Sequence, residues 1–174
     1  MDAIDAEIEL ALKGEEAYVG FKINSLTDKA IIEKMIEASR AGVRVDLIVR
    51  GICCLKPGVE GYTDNIRIIS IVGRFLEHSR IYIFGTRERA KVYIASADYM
   101  TRNTLRRVEV AAPILDPALR GRVLDMFDLM LRDDTQARDL LPDGSYKRRR
   151  PGETPLSSQE YFYREAYAAA QQST

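Results

Sequence analysis

Two features in the middle of the chain have the residue types for phosphoryl chemistry. His78 is the only histidine in 174 residues, and it lies in Glu77-His78-Ser79-Arg80, just before the apolar run Ile81-Tyr82-Ile83-Phe84. An imidazole can attack phosphorus or pass a proton near neutral pH. On a continuous strand, residues two apart face the same side, so Arg80 would hold a phosphate while the ring acts on it. Taken alone, this pattern more often marks a histidine hydrogen-bonded at a strand edge. The second feature is Arg50-Gly51, placed at the C-terminal end of a predicted strand. In open α/β sheets the functional groups gather at such ends, because the loops there surround a crevice.

Charge distribution sharpens this picture. The formal net charge is zero, but residues 40–110 carry 13 cations against 7 anions, and 11 of those cations are arginines. Arginine presents a planar fork of donors to phosphate oxygens, whereas lysine acts as a point charge. A solvated basic face is the plain alternative. The acidic first ten residues do not resemble a signal peptide, and no apolar run reaches the ~20 residues of a membrane span. Cys53 and Cys54 are adjacent, a spacing that suits neither a disulfide nor a metal site. They read as small buried apolar residues in a reducing cytoplasm.

The elements that must position these residues alternate. Asp2 to Leu12 predicts a helix with Ile4, Ile8 and Leu12 on one face. Ala17 to Ile23 predicts a strand, and Thr27 or Asp28 caps a helix through about Ala41. Val43 to Val49 predicts the next strand, which closes a βαβ unit with parallel pairing. Further strands are predicted over 66–72, 80–84, 91–96 and 107–114. Asp116 and Pro117 open a helix to about Leu131, with Leu119, Val123, Met126, Phe127 and Met130 inward. Residues 133–155 read as polar and irregular, with Lys147 to Arg150 as a solvated basic run. A last helix starts at Ser157, whose spacing to Glu160 fits a capping box; its Tyr161, Phe162, Tyr163 and Tyr167 read as packing residues. The expected fold is a single α/β domain over 1–174, with a mixed, mostly parallel sheet of about five to seven strands flanked by helices.

Histidine, one residue, a cation, then Ser96-Ala97-Asp98 on the next strand resembles the phospholipase D-like superfamily. The blocks Val49-Arg50-Gly51-Ile52-Cys53-Cys54-Leu55, Arg74-Phe75-Leu76-Glu77-His78-Ser79-Arg80-Ile81-Tyr82, Ser96-Ala97-Asp98-Tyr99-Met100-Thr101-Arg102-Asn103 and Arg106-Arg107-Val108-Glu109-Val110 resemble polyphosphate kinase. Lys22-Ile23-Asn24-Ser25-Leu26 fits the same family, and the resemblance runs from about residue 4 to residue 150. It covers the last of about four parts of such kinases, the second of two phospholipase D-like domains. The family's phosphorylated histidine belongs to the part before it. His78 corresponds to the second catalytic histidine, and Arg50 to an arginine that contacts nucleotide phosphates.

The resemblance implies transfer of the ATP γ-phosphoryl group to inorganic polyphosphate, a reaction that is mainly positioning and charge stabilisation. ATP, ADP and polyphosphate are then the expected partners, with Mg²⁺ held by ligands outside this chain. Nucleic acid is not an expected partner. The whole polypeptide is expected to be a cytoplasmic homo-oligomer, peripheral to the membrane at most. Arg80 would add a second phosphate clamp. Glu109 is the expected orienting partner of the His78 ring, since Glu77 should point away. Ser96 and Asp98 would shape the pocket, and Arg102, Arg106 and Arg107 would line a polyanion path or be plain surface charge. The isolated fragment is expected not to make polyphosphate. The alternatives are a phosphodiesterase completed by dimerisation, which Arg80 in place of a lysine disfavours, and a polyanion-binding module.

Overall fold

The computed structural model describes residues 1–172, apart from the side chains of Thr104 and Leu105. The chain forms α1 (Asp2–Leu12), β1 (Tyr18–Ile23), α2 (Lys29–Arg40), β2 (Arg44–Val49), β3 (Ile66–Ile71), β4 (Arg80–Phe84), β5 (Lys91–Ala95), α3 (Thr101–Arg106), β6 (Ala111–Pro113), α4 (Pro117–Leu131), β7 (Ala137–Leu140), β8 (Tyr146–Arg148) and α5 (Ser158–Gln172). The eight strands make one sheet in the order β6-β5-β4-β1-β2-β3-β7-β8.

Local chemistry explains the first half. The Asp28 carboxylate accepts the Ile31 N–H at 3.2 Å and starts α2. Gly42 then takes φ +97, a conformation that favours glycine, and turns the chain into β2. β1, β2 and β3 pair in parallel, Phe21 opposite Leu47 and Leu47 opposite Ile68. The predicted alternation of β2 is not what its environment shows. Val45 to Val49 are all buried, because a central strand covered on both faces has no solvent side. One face packs against α1 and α2 through Ile4, Ile8, Met35 and Ala38. The other packs Ile48, Ile69, Ile81 and Ile83 against Phe127, Met130 and Leu131 of α4.

The sheet is mixed, as expected, but larger and less parallel. β1–β4, β4–β5, β5–β6, β3–β7 and β7–β8 are antiparallel, so only β1–β2 and β2–β3 keep parallel pairing. The extra strands lie where polarity suggested loop. β7 and β8 are short and lie at the sheet edge, too brief and too charged to give a period-two signal. Residues 107–114 contain only the three residues of β6, and the preceding helix α3 had no apolar stripe to announce it. Leu119 is 56% exposed, because it sits in the first turn of α4, before the helix reaches the core. Cys53 is half-buried with its thiol pushed up by burial, and Cys54 is exposed, so only one of the pair behaves as an interior residue.

Asp133 ties the C-terminal third together. It is 0% exposed. One oxygen accepts the N–H groups of Thr135, Gln136 and Ala137, and the other accepts Ser158 N and Ser158 Oγ at 2.7 and 2.8 Å. A single carboxylate thus fixes the end of α4, the start of β7 and the start of α5. Removing it strands buried donors, each costing ~1–3 kcal/mol. Asp133→Ala is therefore expected to lower stability by about 3 kcal/mol or more in urea unfolding, with the loss shared by β7 and α5.

Candidate active site

Strand directions bring the sequence-predicted residues to one end of the sheet. β1 and β2 finish there at Ile23 and Val49, and β4, antiparallel to β1, begins there at Arg80. Arg80 pairs with Ala95, the last residue of β5. Lys22, Asn24, Arg50, His78, Arg80, Ser96 and Asp98 consequently surround one crevice mouth, at the place where parallel pairing gives way to antiparallel.

Asp98 is the pivot. It is 7% exposed and accepts the Asn24 backbone N–H at 2.7 Å. Arg80 gives it two bonds, Nε to Oδ1 at 3.2 Å and Nη2 to Oδ2 at 3.0 Å. Burial alone would raise the carboxyl pKa, but the Arg80 guanidinium and the Asn24 N–H outweigh it and hold the group below the ordinary range. Beneath it, Tyr82 stacks on Tyr99 with centroids 5.0 Å apart, and both rings meet Phe21. Tyr82 Oη donates to the Ala97 carbonyl at 2.6 Å. Burial pushes both phenols far up, so they stay neutral. The loop carrying Asp98 is therefore seated on an aromatic floor.

Arg80 also reaches forward. Its Nη1 lies 3.0 Å from His78 Nδ1 and donates to the His78 carbonyl at 3.1 Å. The expected adjacency is present, though not by strand alternation: His78 precedes β4 and is exposed. Arginine has no acceptor, so Nδ1 must be the accepting nitrogen. The neutral ring then carries its proton on Nε2. The donors of Arg80 are turned toward Asp98 and His78, leaving it as a brace more than a free phosphate clamp. Glu109 does not take the orienting place. It accepts a short hydrogen bond from Ser96 Oγ, which in turn accepts the Val110 N–H at 3.0 Å. That arrangement ties together the two ends of the β5–β6 connection, which contains α3.

Arg50 differs from Arg80. It is half-buried, and none of the described residues pairs with its guanidinium; its backbone N–H bonds to Ile23 and its carbonyl accepts Ser70 Oγ. Gly51 beside it is required by a close approach, since a Cβ there would lie 2.9 Å from the Asn24 carbonyl. Arg102, Arg106 and Arg107 are exposed on and after α3.

Lys22 was not singled out by sequence reasoning. It is 4% exposed, donates to the Ser79 carbonyl at 3.0 Å and lies 3.5 Å from Glu77. Burial pulls its ammonium below the ordinary range, and Glu77 opposes that shift. The Glu77 carboxylate is engaged by Lys22 and Gln159. A lysine at an inward strand position in an otherwise apolar run is the signal that could have found it.

Because the Asp98 carboxyl titrates below its ordinary value of 3.8 in the folded chain, it stabilises the fold at higher pH. That contribution fades as pH falls from about 4 through the folded value. Asp98→Asn should therefore be less stable than the native chain near pH 6, with the gap narrowing toward pH 2. Urea unfolding across that range measures it, and a gap independent of pH would contradict the assignment.

The sequence and fold find counterparts in known proteins. Residues 1–159 match the family described as polyphosphate kinase C-terminal domain 2. The polyphosphate kinase of Staphylococcus haemolyticus is 47% identical over 172 residues, covering 99% of this chain and 24% of that protein. The crystal structure of polyphosphate kinase from Porphyromonas gingivalis superposes with a TM-score of 0.92 at 38% identity, covering 98% of this chain and 26% of that one. The phospholipase D family member Nuc from Salmonella typhimurium, at 16% identity and a TM-score of 0.55, covers 79% of this chain and 90% of that one and shares the fold. This chain spans about a quarter of the length of its kinase relatives. A phospholipase D-like sheet whose crevice mouth is braced by Asp98, Arg80 and His78 thus belongs to the polyphosphate kinase family, as its C-terminal domain.

Proposed function

We propose that the chain supplies the second half of the active site of an ATP:polyphosphate phosphotransferase, with His78 as a hydrogen-bond donor to the leaving oxygen and Arg50 as a phosphate ligand. The observation that carries this reading is the Arg80–His78 contact. With Nδ1 occupied by an arginine donor, the lone pair a nucleophilic nitrogen needs is engaged on one side and the proton sits on Nε2. Such a ring suits hydrogen-bond donation to a developing oxyanion, not covalent capture of a phosphoryl group. Its Nε2–H would face the bridging oxygen between the β- and γ-phosphates of ATP. As the bond from that oxygen to the γ-phosphorus breaks, the Nε2–H hydrogen bond would stabilise the charge gathering on the departing ADP oxygen while the phosphoryl group passes to its acceptor, and the ring keeps its proton. The acceptor would be a phosphohistidine-forming residue elsewhere in the longer polypeptide, and then the end of a polyphosphate chain.

Arg50 supports the reading by contrast. A half-buried guanidinium at a strand end, without an ion-pair partner among the described residues, keeps its fork free for a phosphate. Neighbouring Lys22 adds positive potential, which favours an anion in the crevice. The residues here do not fit a magnesium site: no group of three or more carboxylate, histidine or cysteine side chains gathers among the described residues. No helix is long and apolar enough to cross a membrane.

The reading is tested by replacing the matching segment of the Staphylococcus haemolyticus kinase with this chain. The chimera should make polyphosphate from ATP. His78→Ala should cut kcat by about 100-fold or more, the range for loss of one donor to a developing oxyanion. Arg50→Ala should raise the KM for ATP. The 174-residue chain alone should make none. Synthesis undiminished by His78→Ala would refute the proposal, and diester hydrolysis by the chain alone, lost in His78→Ala, would favour the phosphodiesterase reading.

A further inference from the structure

The segment that carries His78 is held in an unusual way. Between β3 and β4, residues 73–78 make no backbone-to-backbone hydrogen bond among the described residues. Side chains hold them instead. Arg80 takes the His78 carbonyl, and Lys22 takes the Ser79 carbonyl just beyond. Gln159 makes the longest reach. From the first turn of α5 its Oε1 accepts the Phe75 N–H at 2.9 Å, while its Nε2 donates to the Phe75 carbonyl at 2.9 Å and to Glu77 Oε1 at 3.3 Å. One amide side chain thus satisfies both backbone groups of a residue, as a neighbouring strand would.

We propose that Gln159 is a positioning residue, which fixes the placement of His78 by clamping the Gly73–Glu77 segment to α5.

Four observations converge on this. Gln159 is 3% exposed, although most of α5 beyond it is exposed. Its neighbour Ser158 is locked to Asp133, so the clamp is mounted on a fixed point. Glu77, held by Gln159 on one oxygen, faces Lys22 on the other, so the clamp links α5 to β1 one residue before His78. Gly73 passes so close that a Cβ there would lie 2.5 Å from Gln159 Oε1. A glycine at this point lets the backbone approach the amide. Outside the clamp, Arg74 lies over Phe75 and Tyr163, and those rings stack at 5.8 Å. Arg74 also pairs with Glu160 at 3.6 Å. The first turns of α5 therefore grip the segment from two sides.

The importance of this placement for turnover rests on the proposed role of His78, but the clamp can be read without turnover. His78 is the sole histidine, so the ring resonances of the 174-residue chain report this position alone. Gln159→Ala should broaden or split them and speed amide exchange of residues 74–79 by about tenfold or more, a local opening. Exchange in β1 and β2 should not change. Gln159→Glu, which sets a buried carboxylate against the Phe75 carbonyl and the Glu77 carboxylate, should loosen the segment at least as much. Native ring signals and native exchange over 74–79 in Gln159→Ala would overturn the clamp. If that variant does not fold, Gly73→Ala decides on the same readouts, since it leaves Gln159 in place and presses the two apart. In the chimeric kinase, Gln159→Ala should lower kcat about tenfold with the KM for ATP within about twofold. An intact clamp with a dispensable His78 would instead fault the kinase reading and leave this one standing.

Discussion

The buried Asp98–Arg80 pair is the contact on which the site depends. Both side chains are largely removed from water, at 10% and 14% exposure, and they join the start of β4 to the loop after β5. Net stabilisation is not the reason for such a pair. Desolvating two charges offsets most of their attraction, whereas removing one partner costs about 3–5 kcal/mol, because the other charge is left buried and unpaired. The arrangement therefore punishes displacement more than it rewards formation. Asp98 reads the Asn24 backbone at the end of β1, and Arg80 reads His78. An error in where β1, β4 or the loop after β5 sits would break a charged contact. The pair acts as a gauge that admits only one relative placement.

Arg50 and Arg80 show how two arginines at one crevice mouth come to do different things. Both stand at strand ends, and in the sequence each follows or precedes a β-branched apolar run. What separates them is the acid at Asp98. Arg80 meets it and becomes part of the frame. The carboxylates near Arg50 have other partners: Glu77 is held by Lys22 and Gln159. Among the described residues, none pairs with the fork of Arg50. A positive crevice mouth with one committed and one uncommitted guanidinium can accept a phosphate without dismantling its own support.

The sequence disclosed the frame more readily than the fittings. Periodicity located α1, β1, α2, β2 and β4 to within a residue or so, because each buries a continuous face whose pattern is written in its own residues. The Asp28 and Asp116 caps were legible for the same reason, since a cap is a local event. β7 and β8 were not, because edge strands of three or four mostly polar residues carry no pattern, and only tertiary pairing makes them strands. The site divides along the same line. His78, Arg50, Arg80 and Asp98 could be named from motif and resemblance. That Arg80 and not Glu109 meets the ring could not, because it depends on whether Ser96 or His78 lies nearer the Glu109 carboxylate. Gln159 lies 81 positions from His78 in a segment that read as an ordinary capped helix, and nothing local distinguishes an amide that packs from one that clamps.

The topology explains why such fittings are needed at this place. β1 stands where the parallel half of the sheet, β1-β2-β3, meets the antiparallel half, β4-β5-β6. Chains leave β1 and β2 upward at this switch and enter β4 downward, so a crevice opens between diverging loops. The same divergence deprives those loops of strand partners. Backbone donors and acceptors there must find side chains or water, and residues 73–79 find Gln159, Arg80 and Lys22. A site at a switch point is thus open because its backbone is unpaired, and ordered only as far as side chains restore the missing bonds. The three residues that restore them come from β1, β4 and α5, so the position of His78 is set by the packing of the whole domain, not by the loop that carries it.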